Sequence, residues 1–230
     1  MSGQSNRLVV AIDGPSGTGK STVAKALAVA CGAKYLNTGS MYRAVGLHAL
    51  RRAVDLEDPA AMTEAARKAK IDVSVDPESE TVWLDGEEVS AALRGDEVTQ
   101  AASRNVGVVP SIRSLLVAEQ QRIIAEHPRI VVEGRDIGTV VAPDADLKIF
   151  LTASEAARAE RRTAQNQELR LSGTKAQILE QITQRDTFDA SRKASPLRQA
   201  HDAVLIDTSG LSAEEALARL LTLAQAKGLA

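Results

Sequence analysis

Aromatic residues are nearly absent from this chain of 230 residues, which has two Phe, two Tyr and one Trp. So few rings exclude a protein built on base-stacking platforms for single-stranded nucleic acid. One cysteine, Cys31, excludes an internal disulfide. Neither sign of charge dominates: the formal net charge is −2, so no global field recruits nucleic acid or an acidic membrane surface. No apolar run reaches the length of a bilayer span. The N-terminal MSGQSNRLVV enters an apolar strand too soon for a signal peptide. The three histidines show no metal-ligand spacing, so no zinc site is expected. His48 reads as a half-buried helix residue, His127 as a helix end before Pro128, and His201 as part of a polar loop. Cys31 reads as core, and Trp83 as local packing. These absences predict a cytoplasmic protein without nucleic-acid or membrane partners; nothing demands an oligomer, and a monomer is expected.

What is present is ordinary for a folded domain, with 44% apolar and 25% charged residues. The length suffices for one α/β domain with insertions. LVVAI (8–12) reads as a strand, followed by a glycine-rich turn and a helix with Val23, Leu27 and Ala30/Cys31 inward. Residues 34–36 read as a second strand and 41–53 as a helix with Val45 and Leu50 inward. Between 71 and 89 the pattern changes to apolar/polar alternation, with Asp85-Gly86 as a hairpin turn. A helix follows over 111–126, with Ile112, Leu115, Leu116 and Ile123 inward. Strands resume at 130–132, 147–151 and 203–206. Residues 154–192 are strongly polar and rich in Arg and Gln, with a helical stripe at Ile178, Leu179 and Ile182. Ser212 and Glu215 form a capping box that opens the last helix. The prediction is one parallel sheet of about five strands with two inserted excursions.

Gly14-x-x-x-x-Gly19-Lys20-Ser21 is a complete phosphate-loop pattern lying between a predicted strand and a predicted helix. Such a loop turns its N–H groups inward as an anion nest, and the helix that follows aims its positive end at the same point. The nucleotide-binding stretch is Gly14, Pro15, Ser16, Gly17, Thr18, Gly19, Lys20, Ser21 and Thr22. Lys20 reaches the β- and γ-phosphates, and the Ser21 hydroxyl is a ligand for Mg²⁺. Asp13 either joins the metal's water shell or ends the strand structurally.

The loop alone does not distinguish a switch, a motor and a kinase. No Asn-Lys-x-Asp guanine reader is present, and Asp207-Thr-Ser-Gly210 comes too late in the chain for a switch loop, so it reads as a turn. Ile130-Val131-Val132-Glu133 runs into Gly134-Arg135-Asp136, unlike the acidic strand end of a motor. Arginines instead gather at segment junctions: Arg43, Arg113, Arg158, Arg161, Arg162, Arg185 and Arg192. Guanidinium forks grip phosphate oxygens bidentately. These are more forks than one triphosphate needs, which predicts a second phosphorylated ligand. The residues leave open a kinase of another small acceptor, such as UMP or a shikimate-like compound, and a nucleotide-dependent binding module.

The ordered series IDGPSGTGKST, NTGSMYR, the β-containing insertion, AAS…PSIR, EGRDIGTVV, PDADLKIFL, the RxxRR helix and RDTFDASRKASPL resembles the bacterial cytidylate kinases over essentially the whole chain. Many members of that family have Asp where this chain has Asn37 and Glu133. The resemblance implies a three-layer phosphate-loop fold: a parallel sheet with helices on both faces, an inserted NMP-binding subdomain containing a small antiparallel sheet, and an Arg-rich helical lid. Its segments are a core of 1–62 and 127–230, an insertion at 63–126 and a lid at 154–175. It implies ATP-dependent phosphorylation of CMP and dCMP with Mg²⁺. Thr38, Arg43, Arg135 and Arg192 are then expected to hold the acceptor phosphate, Lys20, Arg135 and Arg192 to be the catalytic cations, and Ser103, Arg113 and Asp136 to read cytosine. Arg185 and Asp189 are expected at the ribose, and Arg158, Arg161 and Arg162 over the ATP phosphates.

Overall fold

The computed structural model of the chain describes residues 7–168, 174–192 and 194–228. Residues 1–6, on which the signal-peptide reading partly rests, and residues 169–173 of the expected lid lie outside them. In chain order the elements are β1 (Leu8–Asp13), α1 (Lys20–Ala30), β2 (Lys34–Asn37), α2 (Thr38–Arg51), α3 (Pro59–Lys68), β3 (Ile71–Val73), β4 (Val82–Leu84), β5 (Glu87–Glu88), α4 (Asp96–Ala101), α5 (Pro110–Glu126), β6 (Arg129–Gly134), β7 (Leu147–Thr152), α6 (Glu155–Glu168), α7 (Lys175–Ser191), β8 (Val204–Asp207) and α8 (Ala213–Ala226). The main sheet has the order β2-β6-β1-β7-β8, with every pairing parallel.

Alternation along the central strands builds two cores. Leu8, Val10 and Ile12 of β1 pack with Val23 and Leu27 of α1 and Leu220 of α8 on one face. Val9 and Ala11, pointing the other way, pack with Met41 and Val45 of α2, Met62 of α3 and Ile112 of α5. Period-two alternation thus feeds both faces of a strand that is buried throughout. Full burial of a side chain such as Leu27 is worth about 1.5–3 kcal/mol. Residues 63–126 contain the antiparallel sheet β3-β4-β5. Its inner face packs Val82, Leu84 and Val89 on Ala44 and Leu47 of α2. The β4–β5 turn has Asp85 at φ 54° and Gly86 at φ 87°, the left-handed pair that a two-residue hairpin requires.

Several local expectations change. His48 is only 2% exposed, because the β4–β5 turn folds over α2 and brings Asp85 Oδ2 to 3.0 Å from its Nδ1. Leu115 is 40% exposed on α5, and Ala30 is exposed at the end of α1. In β8 only Ile206 is buried, since this strand is the sheet edge. Helix α3, which the sequence reading did not include, buries a short stripe of Met62 and Ala65. It is started by Asp58, whose Oδ1 accepts from the amides of Ala60 and Ala61, and by Pro59 at its first position.

Candidate active site

The phosphate loop is held by contacts a side chain at its first glycine would destroy. Gly14 has φ 148°, and a β-carbon there would lie 2.1 Å from the Leu151 carbonyl oxygen of β7. Asp13, 4% exposed, spends its carboxylate on structure: Oδ1 accepts from the Ile137 amide and Oδ2 from the Gly138 amide, both at 2.8 Å. Of the two roles open to it, the strand-end role is the one seen. Burial pushes its carboxyl up to about 6, against the opposing pull of the two amides. Lys20 is 7% exposed, and its Nζ donates to the Pro15 carbonyl at 2.7 Å within its own loop. Burial first, then Arg135, hold its ammonium well below the usual lysine range.

A cavity of about 760 Å³ opens from this loop. Ser16 to Thr22 line its donor end, with Arg161 and Arg162 of α6 beside them. Across it lie Thr38 and Arg43 of α2, Ser103, Arg113 of α5, and Arg135 and Asp136 after β6. Arg185 and Asp189 of α7 and Arg192 complete that acceptor wall. Gly14 and Pro15, at the start of the loop, are outside the lining. Arg158 is outside it too: it is 5% exposed and its Nη1 donates to the Ser16 carbonyl at 3.1 Å and to Asp186.

The acceptor wall is crowded with cations. Burial, then repulsion from Arg135, bring the Arg185 guanidinium down to about 9; Arg43 and Arg162 add to that repulsion, while Asp189 opposes it. Arg43 is lowered as well, by burial with Arg135 adding to it. Asp189 offsets part of this, with Oδ2 3.0 Å from Arg135 Nε and Oδ1 3.6 Å from Arg192 Nη1. Burial raises its carboxyl, yet Arg135, Arg185 and Arg192 together hold it below the usual carboxylate range. Among the described residues, Arg192 Nη2 and Arg185 Nε are buried without an acceptor. Crowded cations with unspent donors form a site whose natural occupant is an anion of more than one charge.

At the far end Arg113 Nη2 pairs with Asp136 Oδ2, and both side chains are nearly buried. Nη1 of Arg113 donates to the Gly107 carbonyl at 3.3 Å. The Tyr42 ring lies 5.2 Å from its Cζ, a cation–π support that the sequence reading passed over although Tyr42 adjoins Arg43. Other contributors also went unseen. Glu133, set aside as a motor-type acid, is the penultimate residue of β6, is 3% exposed and accepts from the Tyr35 hydroxyl at 2.5 Å. Asn37 caps α2, accepting from the Ser40 amide, and donates to Glu80 at 2.7 Å. Asn37 and Glu133 thus each have a partner of their own in this structure. Thr208 and Leu211, in the turn after β8, line the donor end, and Thr208 Oγ1 accepts from Arg161 Nη1 at 2.9 Å. Only a long-range contact makes them part of the site, so local sequence carries no signal for them.

A phosphate loop that shares its cavity with a second, separately built anion pocket is arranged for group transfer, and the class so defined is the phosphate-loop kinase. The sequence model of the family described as cytidylate kinase matches residues 10–226. A cytidylate kinase of Rhodococcus jostii (strain RHA1) is 54% identical over 94% of this chain and 94% of its own length. One of Nocardia farcinica (strain IFM 10152) is 54% identical over 93% of this chain and 91% of its own length. The chain belongs to the cytidylate kinase family. A crystal structure of an uncharacterized protein from Eubacterium ventriosum ATCC 27560 has a TM-score of 0.52 at 10% identity, over 96% of this chain and 99% of that one, which is a likeness of fold alone. Among the described residues, no helix is long and apolar enough to cross a membrane.

Proposed function

We propose that the chain transfers the γ-phosphoryl group of ATP to the phosphate of CMP or dCMP, giving ADP and CDP or dCDP. The observation that carries this reading is the pairing, in one cavity, of the phosphate loop with the cation wall of Arg43, Arg135, Arg185 and Arg192. An acceptor oxygen attacks the γ-phosphorus as its bond to the ADP oxygen breaks. Because a nucleoside monophosphate is already ionised near neutral pH, no general base is needed, and the chain has to supply alignment and positive charge. Thr38, Arg43, Arg135 and Arg192 hold the acceptor phosphate against its repulsion by the donor. Lys20 leaves the Pro15 carbonyl for the β- and γ-phosphates, with the loop amides around them. Arg161 and Arg162 cover the donor from α6.

Arg113 and Asp136, with Ser103 beside them, read the base. Cytosine offers an amino donor to the Asp136 carboxylate and acceptors to Arg113, whereas uracil sets O4 against the carboxylate. A buried mismatch of this kind discriminates by about 10⁴-fold in favourable sites. Arg185 and Asp189 face the ribose. Mg²⁺ fits the donor end: Ser21 is an exposed residue in the first turn of α1 on the cavity wall, and one protein oxygen plus nucleotide phosphates is a donor set magnesium accepts. Bound with ATP, the ion supplies charge neutralisation at the phosphate oxygens. By the same reading, 1–62 and 127–230 form the core, 63–126 the acceptor-side insertion and 154–175 the lid, with α5 shared between insertion and sheet. We assign the chain to the cytoplasm as a monomer.

A product assay with Mg²⁺ and ATP tests the function, offering CMP, dCMP, UMP, AMP and GMP separately beside an ATP-only control. CDP and ADP in equal amounts, with UMP slow and the control quiet, are expected. ADP without a diphosphate product of the acceptor would refute transfer.

A further inference from the structure

Helix α7 carries Arg185 and Asp189 one turn apart on the cavity wall. The residue between them in this pattern, Asp186, has a different destination. Its Oδ1 accepts from the Ser16 amide of the phosphate loop at 3.2 Å, across 170 residues of sequence. Its Oδ2 pairs with Arg158 Nη1 of α6. That same Nη1 donates to the Ser16 carbonyl at 3.1 Å. Both backbone polar groups of Ser16 are therefore bound, one by α7 and the other by α6. The Asp186 side chain is 17% exposed and that of Arg158 6%, so this ion pair is little screened by solvent.

The joint has no slack. A β-carbon on Gly17 would lie 3.1 Å from Arg158 Cβ and 3.3 Å from its carbonyl oxygen, so the loop rides directly on α6. A shift of the loop at Ser16 is then borne by Asp186, and with it by the helix that presents Arg185 and Asp189 to the acceptor. Arg158, expected over the ATP phosphates, is in this structure the second half of that joint.

We infer that Asp186 is a positioning residue that couples occupancy of the donor loop to the acceptor site, with Arg158 as its partner. The inference rests on the functional reading above. A brace that merely stabilised the fold would lower the melting temperature of a variant and leave the coupling between the two nucleotides intact. Coupling between sites is reciprocal and separable from stability.

The test is calorimetric titration of CMP, with and without a saturating non-hydrolysable ATP analogue and Mg²⁺, on the full chain. The unsubstituted protein is expected to bind CMP about fivefold or more tightly with the analogue present, within the usual range of such coupling. Asp186→Asn keeps an acceptor for the Ser16 amide but loses the ion pair, and its ratio is expected within about twofold of one, with CMP affinity in the absence of the analogue unchanged. Arg158→Gln, approaching the same joint from α6, is expected to behave alike and serves as the second variant should Asp186→Asn melt too low to titrate. Retention of the full ratio in the variants, or a ratio of one in the unsubstituted protein, overturns the inference. If the unsubstituted protein binds no CMP but does bind another monophosphate, the functional reading falls, and this inference with it.

Discussion

Asp136→Asn isolates the base-reading step, because it exchanges one acceptor for a donor without changing size. Asp136 and Arg113 have side chains 6% and 5% exposed, so their pair is desolvated. Asparagine still offers Arg113 an oxygen, but turns its NH₂ toward the position of the cytosine amine. Donor then meets donor, and a buried group left unpaired costs about 1–3 kcal/mol. The kcat/KM for CMP is thus expected to fall about tenfold to a hundredfold. Uracil, with O4 in place of the amine, now meets a donor, so kcat/KM for UMP rises. The ratio of the two is expected to shrink by about a hundredfold or more, the larger figure reflecting both changes. Loss of the counter-charge to Arg113 also destabilises the fold by about 2 kcal/mol, below the 3–5 kcal/mol for removing a buried partner outright. A drop of about 5 °C in Tm should accompany it. Initial rates with both acceptors and a thermal melt give all three quantities. A CMP-to-UMP ratio within about threefold of the unsubstituted value would refute the base assignment, whatever happened to stability.

Three further predictions concern the loop, its strand and the metal. Gly14→Ala is expected to cost more than about 3 kcal/mol in a denaturant melt, because the new methyl meets the Leu151 backbone oxygen and neither backbone can yield. Asp13 is expected to titrate near pH 6 in the ligand-free protein, well above the unfolded value of 3.8, in a carboxyl NMR titration whose signal vanishes in Asp13→Asn. The sign follows: the folded state holds the extra proton between those values, so this group adds stability as pH falls from above 6 towards 4, about 3 kcal/mol in all if nothing else titrates. Chelation with excess EDTA is expected to abolish CDP formation and added Mg²⁺ to restore it, and Ser21→Ala to raise the Mg²⁺ concentration needed for half-maximal rate.

The parts of the fold that were legible in the sequence are those written locally. Leu8–Asp13 announces itself by an apolar run, the β4–β5 hairpin by Asp85-Gly86, and α8 by Ser212 and Glu215, both of which make their capping bonds. Helix α3 was passed over although Asp58 and Pro59 mark its start as locally as Ser212 marks that of α8; its buried stripe, Met62 and Ala65, is short. His48 and Leu115 were misjudged for a different reason: helical periodicity gives a face, but not what covers it. Asp85 arrives over His48 from a turn 37 residues later, while the described residues leave Leu115 40% exposed. In the site, the loop and the acceptor arginines were legible as residue types at junctions. Their wiring was not, since the contacts of Arg158 with Ser16, Tyr42 with Arg113 and Arg161 with Thr208 join distant segments.

On this reading Arg43, Arg135 and Arg192 of the cation wall are there for the acceptor's phosphate. Calorimetric titration of CMP against cytidine, in the absence of ATP, tests this most directly. Two or more charge-assisted bonds of about 1.5–3 kcal/mol each predict that cytidine binds at least about a hundredfold more weakly than CMP. Cytidine binding within about tenfold of CMP would mean that these arginines serve something other than the acceptor phosphate, and would contradict the account.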